Sequence, residues 1–580
     1  MNRNDQAIIG GLILVLAVVA VAIGAPAFAP VSAPARTALP TMEPPVPYRE
    51  GSVGRPVSVS PLAARTQVDR DLVALTFSGL VKLGPDGVLI PDLAAGWTTD
   101  ETGKSWTFSL RPDARWHDGE AVTAHDVVFT VNVLRDPAYT GPGAGSWLEV
   151  TPTAVDERTV QFDLTTPLGG FLQLATQPIA PAHLLSGVPV DALGDDPLGQ
   201  APVGSGPFVM AELDADHAVL EPVTSIGLPS PDVAEPSPSA PPPTDALATP
   251  GPTKRPAVAA PRLSRLEFRY FDDVAALTDA FENGEIDVAS GLPPADAADL
   301  VAAVDGCRAL RSPGSTLTAV LLNLRVGHPE LRDAAVRTAL LAGLDRGAIV
   351  ADAFGGMATQ ADSPIPPSSW AFDRAASAAV AYDPAAAGAA LTKAGWTKVD
   401  DRWRPPGATT PYTLELLTPD PEMNSSLHAV AERVAADWNA LGLTVTLVET
   451  DPGTSLTERL REGKYTAAVI DMSIGLDPDL YPLLASSQTR KGGLNLIGLQ
   501  DSTLDALLAA ARKPGTTEAR KAAYTALQTQ LSLGQYILPV AYADEVVVAR
   551  NLVQDVVVQP VGDPSDRFWD VLTWRLANDR

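Results

Sequence analysis

Three stretches of this chain carry side chains whose types and spacing could do chemistry. His117-Asp118-Gly119-Glu120 sets an imidazole beside two carboxylates, the groups that acid–base work or cation binding would need. Ser205 stands between Gly204 and Gly206, where a hydroxyl on a tight turn could serve as a nucleophile. Asp471-Met472-Ser473-Ile474-Gly475-Leu476-Asp477-Pro478 follows an apolar run and offers carboxylates at its end. The first two read better as structure. His117 to Glu120 falls in a turn between a strand and a capped helix, and Ser205 lacks the spacing of G-x-S-x-G. No phosphate-binding loop and no H-E-x-x-H occurs either, so no catalytic residues are assigned.

The third stretch depends on the elements that place it. Tyr465 to Ile470 reads as a strand, and in open α/β sheets ligands sit beyond the carboxyl ends of strands. The strand belongs to a recurring pattern. Leu266–Phe271, a helix with Val274, Leu277 and Phe281 on one face, and Ile286–Ala289 form one strand–helix–strand unit. Tyr412–Leu417, a helix carrying Val430, Val434, Trp438 and Leu441, and Leu443–Val448 form another. A helix at Leu456–Leu460 leads into Tyr465–Ile470 as a third. Such units imply parallel strands with right-handed crossovers, hence two α/β lobes.

Earlier in the chain the pattern differs. Lys82-Leu83 and Val88–Ile90 flank the turn Gly84-Pro85-Asp86-Gly87, and Ser105–Leu110 alternates with the period of a half-buried strand. Thr123 with Asp126 forms a capping box for a helix through Leu134. Two short strands lie within Thr153–Leu164. These elements predict a small α+β domain over residues 63–171.

Composition narrows the function classes. The 580 residues are enough for two or three cores. A formal net charge of −27 argues against nucleic acid, whose phosphates need clustered Lys and Arg. Cys307 is the single cysteine, and the six histidines are scattered, so neither a disulfide nor a structural metal is expected, and no cofactor is called for. Ala7 to Ala25 is nineteen residues without a charge, long enough to nearly span a hydrocarbon core of about 30 Å. It is expected at a membrane, as an uncleaved anchor with the body outside the cytoplasm; cleavage after Ala27-Phe28-Ala29 is the alternative. Residues 1–29 are thus anchor or signal, 30–50 a proline-rich spacer, and 228–261, with eleven prolines, a disordered surface insertion.

A series of ordered matches adds to this. Gly79-Leu80, Pro91-Asp92-Leu93-Ala94, Gly96-Trp97, Trp106-Thr107-Phe108, Trp116-His117-Asp118-Gly119 and Thr123-Ala124-His125-Asp126-Val127 stand in the order and spacing of the family 5 extracellular solute-binding proteins. Gly204-Ser205-Gly206-Pro207-Phe208, Leu344-Asp345-Arg346 and Tyr382-Asp383-Pro384 extend the resemblance from Gly51 to Arg575. It implies a two-lobed periplasmic-binding-protein-like α/β fold, type II and cluster C-like, with the extra small α+β domain. Lobe I would hold residues 51–62, 172–318 and 542–580, and lobe III residues 319–541, with crossings near Leu317–Leu322 and Pro539–Tyr542 acting as the hinge. The implied function is that of a monomeric receptor of an ABC importer, taking a small solute or peptide and docking to a membrane permease. A sensory receptor with another partner, or a hydrolase on a borrowed fold, are the alternatives. Ligand-binding positions implied are Thr66, Ser205, Asn323, Asp471, Met472, Ser473 and Ile474. Peptide-binding relatives carry an aspartate three residues before Asp-Pro, where this chain has Ile474, so short peptides are expected to bind poorly unless Asp471 takes that part.

Overall fold

The computed structural model describes residues 47–223, 262–450, 456–490 and 493–577. The segment 7–25 expected at a membrane, most of the spacer and the proline-rich insertion lie outside the described residues. Among the described residues no helix is long and apolar enough to cross a membrane. The sheet begins at Tyr48, inside the stretch expected to be spacer, because Tyr48 is buried and Tyr48–Val53 pairs along its whole length with Leu266–Phe271.

Among the described residues eleven strands form one sheet. Across it run Thr444–Thr450, Thr413–Pro419, Ala467–Ser473, Cys307–Leu322, Leu538–Arg550, Val288–Ser290, Tyr48–Val53, Leu266–Phe271, His217–Pro222 and Phe208–Leu213, with Ala358–Gln360 added beside Leu538–Arg550. The two lobes therefore share hydrogen-bonded strands. Cys307–Leu322 and Leu538–Arg550 have 16 and 13 residues, well beyond the common strand length of about 5–6. They pair antiparallel on both sides of a break, Cys307–Pro313 with Asp544–Arg550 and Leu317–Val320 with Leu538–Tyr542. The ladder is irregular at Pro313–Leu317 and again at Thr318–Ala319, and these breaks mark the crossing, the second inside the expected Leu317–Leu322. Pro313 has no N–H to give the ladder, and a Cβ on Gly314 would sit 2.2 Å from the Ala543 carbonyl oxygen.

The strand–helix–strand elements are present with two rearrangements, the first being that Thr413–Pro419 lies between Thr444–Thr450 and Ala467–Ser473. Thr413–Pro419 and Thr444–Thr450 are adjacent and parallel, joined by the helix Ser425–Leu441. Leu266–Phe271 and Val288–Ser290 are separated by Tyr48–Val53, which is parallel to both. That insertion is a tertiary event, since the separating strand comes from far upstream.

Apolar side chains segregate on either side of the crossing. One cluster draws on residues between Leu317 and Tyr542, with Val430, Val434 and Trp438 packed on the sheet. A second runs from Tyr48 through Trp106, Phe108 and Phe162 to Phe568 and Trp574. A third covers the opposite face of the N-terminal half through Leu277, Phe281, Ile286 and Val548. Within the second, Ala94–Thr99, Ser105–Leu110, Thr159–Leu164 and Val150–Ala154 form a four-stranded antiparallel sheet. The helix Ala124–Arg135 starts at the expected capping box, and Asp126 also accepts from the Ala182 N–H at 2.9 Å.

Candidate functional site

The His117 turn and the glycine turn are parts of one knot. His117 Nδ1 accepts from the Gly204 N–H at 3.2 Å, and Nε2 lies 3.0 Å from the Gly206 carbonyl oxygen. Burial lowers the His117 pKa below its ordinary value. Glycine is required on both sides of Ser205, because a Cβ at Gly204 would meet the Thr76 carbonyl oxygen at 1.9 Å and one at Gly206 the Thr76 carbonyl carbon at 2.6 Å. Ser205 Oγ accepts from the Ser78 N–H at 3.3 Å, and His117 spends both ring nitrogens on the turn itself. Among the described residues no side chain hydrogen-bonds the Ser205 hydroxyl as a base would.

Thr66 and Asn323 are also committed to the scaffold. Thr66 Oγ1 accepts from the Asp69 N–H as the N-cap of Gln67–Thr76, and the buried Asp69 carboxylate accepts from the N–H groups of Val57, Ser58, Arg65 and Thr66. Asn323 donates to the carbonyls of Gly463 and Tyr465 and accepts from the Arg325 N–H. It lies just past the end of Cys307–Leu322, five positions beyond Thr318 and about 16 Å away at about 3.3 Å per residue. It is therefore not brought together with Asp471.

The expected ligand loop begins as strand. Ala467–Ser473 continues to Ser473, with Asp471 opposite Thr318 and Ser473 opposite Thr316. Alternation then decides which side chains are available. Asp471 and Ser473 are exposed, whereas Met472 and Ile474, at 9% and 7% exposure, face the apolar core. Thr318 Oγ1 donates to Asp471 Oδ1 at 2.6 Å. Asn424, whose Oδ1 caps Ser425–Leu441 by accepting from the Leu427 N–H, is a further hydrogen-bond partner of Asp471. Desolvation raises the Asp471 pKa although the side chain is accessible. The Asp471 carboxylate thus stands at the surface among neighbours that partly desolvate it. Among the described residues no cation pairs with Asp471.

The loop that follows is held at the crossing. The Ile474 N–H donates to Ser315 and Val561 N–H to Pro313, so the C-terminal segment, the loop and the crossing meet at one place. Asp477, in the Asp-Pro word, pairs with Arg520 at 2.7 and 2.9 Å, while Tyr524 donates to the Pro478 carbonyl at 2.7 Å. Thr318, Asn424 and Arg520 escaped the sequence reading. Thr318 had the strand alternation as a signal and Asn424 the helix start. For Arg520 there was none. Among the described residues no group of acidic, histidine or cysteine side chains could hold a metal ion.

This geometry meets independent likenesses. The profile of the bacterial extracellular solute-binding proteins, family 5, matches residues 88–493. The chain is 24% identical over 533 residues to a di/tripeptide-binding protein 3 of Pseudomonas aeruginosa, covering 88% of this chain and 92% of that one. It is 24% identical over 528 residues to the nickel-binding periplasmic protein of Escherichia coli, covering 87% and 91%. Among solved structures, the ABC transporter substrate-binding protein CtaP of Listeria monocytogenes superposes with a TM-score of 0.72 at 23% identity, covering 92% and 100%. The oligopeptide-binding protein AppA of Bacillus subtilis, in complex with a nonapeptide, superposes at 0.69 and 21%, covering 92% and 99%. The profile spans more than half of the chain, and the fold is that of periplasmic solute-binding proteins; the chain belongs to the bacterial extracellular solute-binding proteins of family 5.

Proposed function

We propose that this protein captures a small solute carrying a protonated amine between its two halves and delivers it to an ABC permease, without chemistry of its own. The observation that carries the reading is Asp471: an accessible, partly desolvated carboxylate at the carboxyl end of a central strand, oriented by Thr318 and Asn424 and lacking a cation. A ligand ammonium would supply that charge, and a charge-assisted hydrogen bond is worth roughly 1.5–3 kcal/mol. Ser473 and Thr316 lie on the same face of the sheet and add hydroxyls. Thr66, Ser205 and Asn323 hold the walls. The peptide-binding relatives support an amine-bearing ligand, with Asp471 replacing the carboxylate that Ile474 lacks. Residues 7–25 serve as the membrane tether in this reading.

Native mass spectrometry of protein purified without denaturation tests the proposal. A retained mass carrying an amine, lost in Asp471→Asn, is the expected result. A retained ligand that survives that substitution would move the site elsewhere, and sustained product formation from a peptide or ester library would overturn the receptor reading.

A further inference from the structure

Beside the crossing, inside the N-terminal half, lies a cavity of about 20 Å³ lined by Tyr48, Ser312, Glu545, Arg567, Trp574 and a set of valines. That is room for about one water. Glu545 is directly opposite Ser312 in the ladder, one residue past Asp544, where the strands cross. Its carboxyl group accepts no hydrogen bond and forms no ion pair among the described residues. The guanidinium it faces is already committed. Arg567 bonds to Glu50 and pairs with Asp71 at 3.0 Å, and Tyr48 donates to Glu50 at 2.5 Å. Gln67 and Ser565 donate to Asp71 at 2.7 and 2.8 Å.

The charges around Glu545 come from every packed element. Glu50 and Tyr48 belong to Tyr48–Val53, Asp71 to Gln67–Thr76, and Asp563 and Arg567 to the segment leading into and along Pro564–Thr573. Ser312 contributes no charge. One guanidinium thus faces Glu50, Asp71 and Glu545 together, and Glu545, half-buried, is a third carboxylate without a counterion of its own.

The cover of the cavity is tied to the pivot. Val553 and Val556 to Val558 line it, and a few residues on, Val561 N–H donates to Pro313 while Ser315 Oγ donates to Gly562. Movement about Pro313–Leu317 would pull on this segment and open the surroundings of Glu545 further to water.

We propose that protonation of Glu545 is coupled to closure of the two halves, so that acid favours the closed form and alkali the open one. The coupling rests on the two-lobed receptor reading, but its test needs no ligand. Burial pushes the Glu545 pKa up to about 7, within the range that external pH can reach. Asp566, which accepts from the N–H groups of Gly562 and Asp563, is raised to about 6 and is the competing titration.

Small-angle scattering of the ligand-free protein between about pH 5 and about pH 9 decides it, with far-UV circular dichroism showing that the chain stays folded. The radius of gyration is expected to rise through a midpoint near 7, to stay at its compact value in Glu545→Gln, and to keep its midpoint in Asp566→Asn. A radius that does not change with pH in the unsubstituted protein overturns the proposal, as does the same rise in Glu545→Gln. Should that variant fail to fold, Glu545→Asp serves instead: the coupling requires its midpoint to shift, and an unshifted one counts against it. Loss of the pH effect with a retained ligand would leave the receptor reading intact.

Discussion

Asp477 and Arg520 form a two-pronged ion pair, Oδ1 to Nη2 at 2.7 Å and Oδ2 to Nη1 at 2.9 Å, and Gly170 of the N-terminal half lies against the same carboxylate. The guanidinium also stacks over Trp370, 4.5 Å from the ring centroid. Nearby, Gly169 N–H donates to the Arg512 carbonyl at 2.8 Å. The two halves therefore touch where the loop after Ala467–Ser473 is held by an ion pair.

Removing the cation from this pair should be costly, because Asp477 and Arg520 are 19% and 13% exposed at their side chains and an uncompensated carboxylate would remain. Arg520→Ala is expected to lose about 3 kcal/mol in urea unfolding. Arg520→Lys should recover only part of that, since an ammonium cannot form both bonds. Equal stability of Arg520→Ala and the unsubstituted protein would show that the pair contributes nothing.

Position 474, where peptide-binding relatives carry an aspartate, is closed to one here. The Ile474 side chain faces the core of the C-terminal half and its N–H holds the crossing through Ser315. Ile474→Asp should bury a charge and destabilise by at least about 2 kcal/mol. Thermal unfolding checks this, and a stable variant with strengthened peptide binding would place the side chain in the cleft.

What could be read in the chain was what is local. Thr123 and Asp126 are three residues apart, and the capping box follows from their spacing alone. Thr413–Thr450 closes its parallel pair through one helix, so periodicity and the stop at Gly442 sufficed. The candidate site was half legible. Its strand seemed to end at Ile470, and only the ladder with Thr316 and Thr318 carries it to Ser473 and sets which side chains face outward. Tyr48–Val53 between two strands of a later unit, and Arg520 on Asp477, depend on contacts between residues far apart in sequence.

The glycine turn gives a structural test. Alanine at Gly204 or Gly206 must displace the backbone at Thr76, where the contacts would be 1.9 and 2.6 Å. Either substitution is expected to cost about 2–4 kcal/mol, whereas Ser205→Ala, which loses one hydrogen bond at 3.3 Å, should cost about 1 kcal/mol or less. If Ser205→Ala abolished ligand retention with unchanged stability, Ser205 would belong to the ligand surface.

The dependence of stability on pH carries a sign that can be checked. Glu545 is raised to about 7 in the folded chain, against about 4.3–4.5 when unfolded. The folded state therefore holds its proton more tightly, and the stabilisation is fully present below the unfolded value and lost as pH rises through about 7. Asp566, raised to about 6, acts in the same direction over a lower window. Urea unfolding from about pH 4.5 to about pH 8 should show a loss reaching about 3 kcal/mol from Glu545, before other groups are counted. Glu545→Gln keeps the carboxamide neutral throughout and should flatten the upper part of that slope, leaving the contribution of Asp566. A profile identical to that of the unsubstituted protein would mean that Glu545 is hydrated and ionised in the folded state.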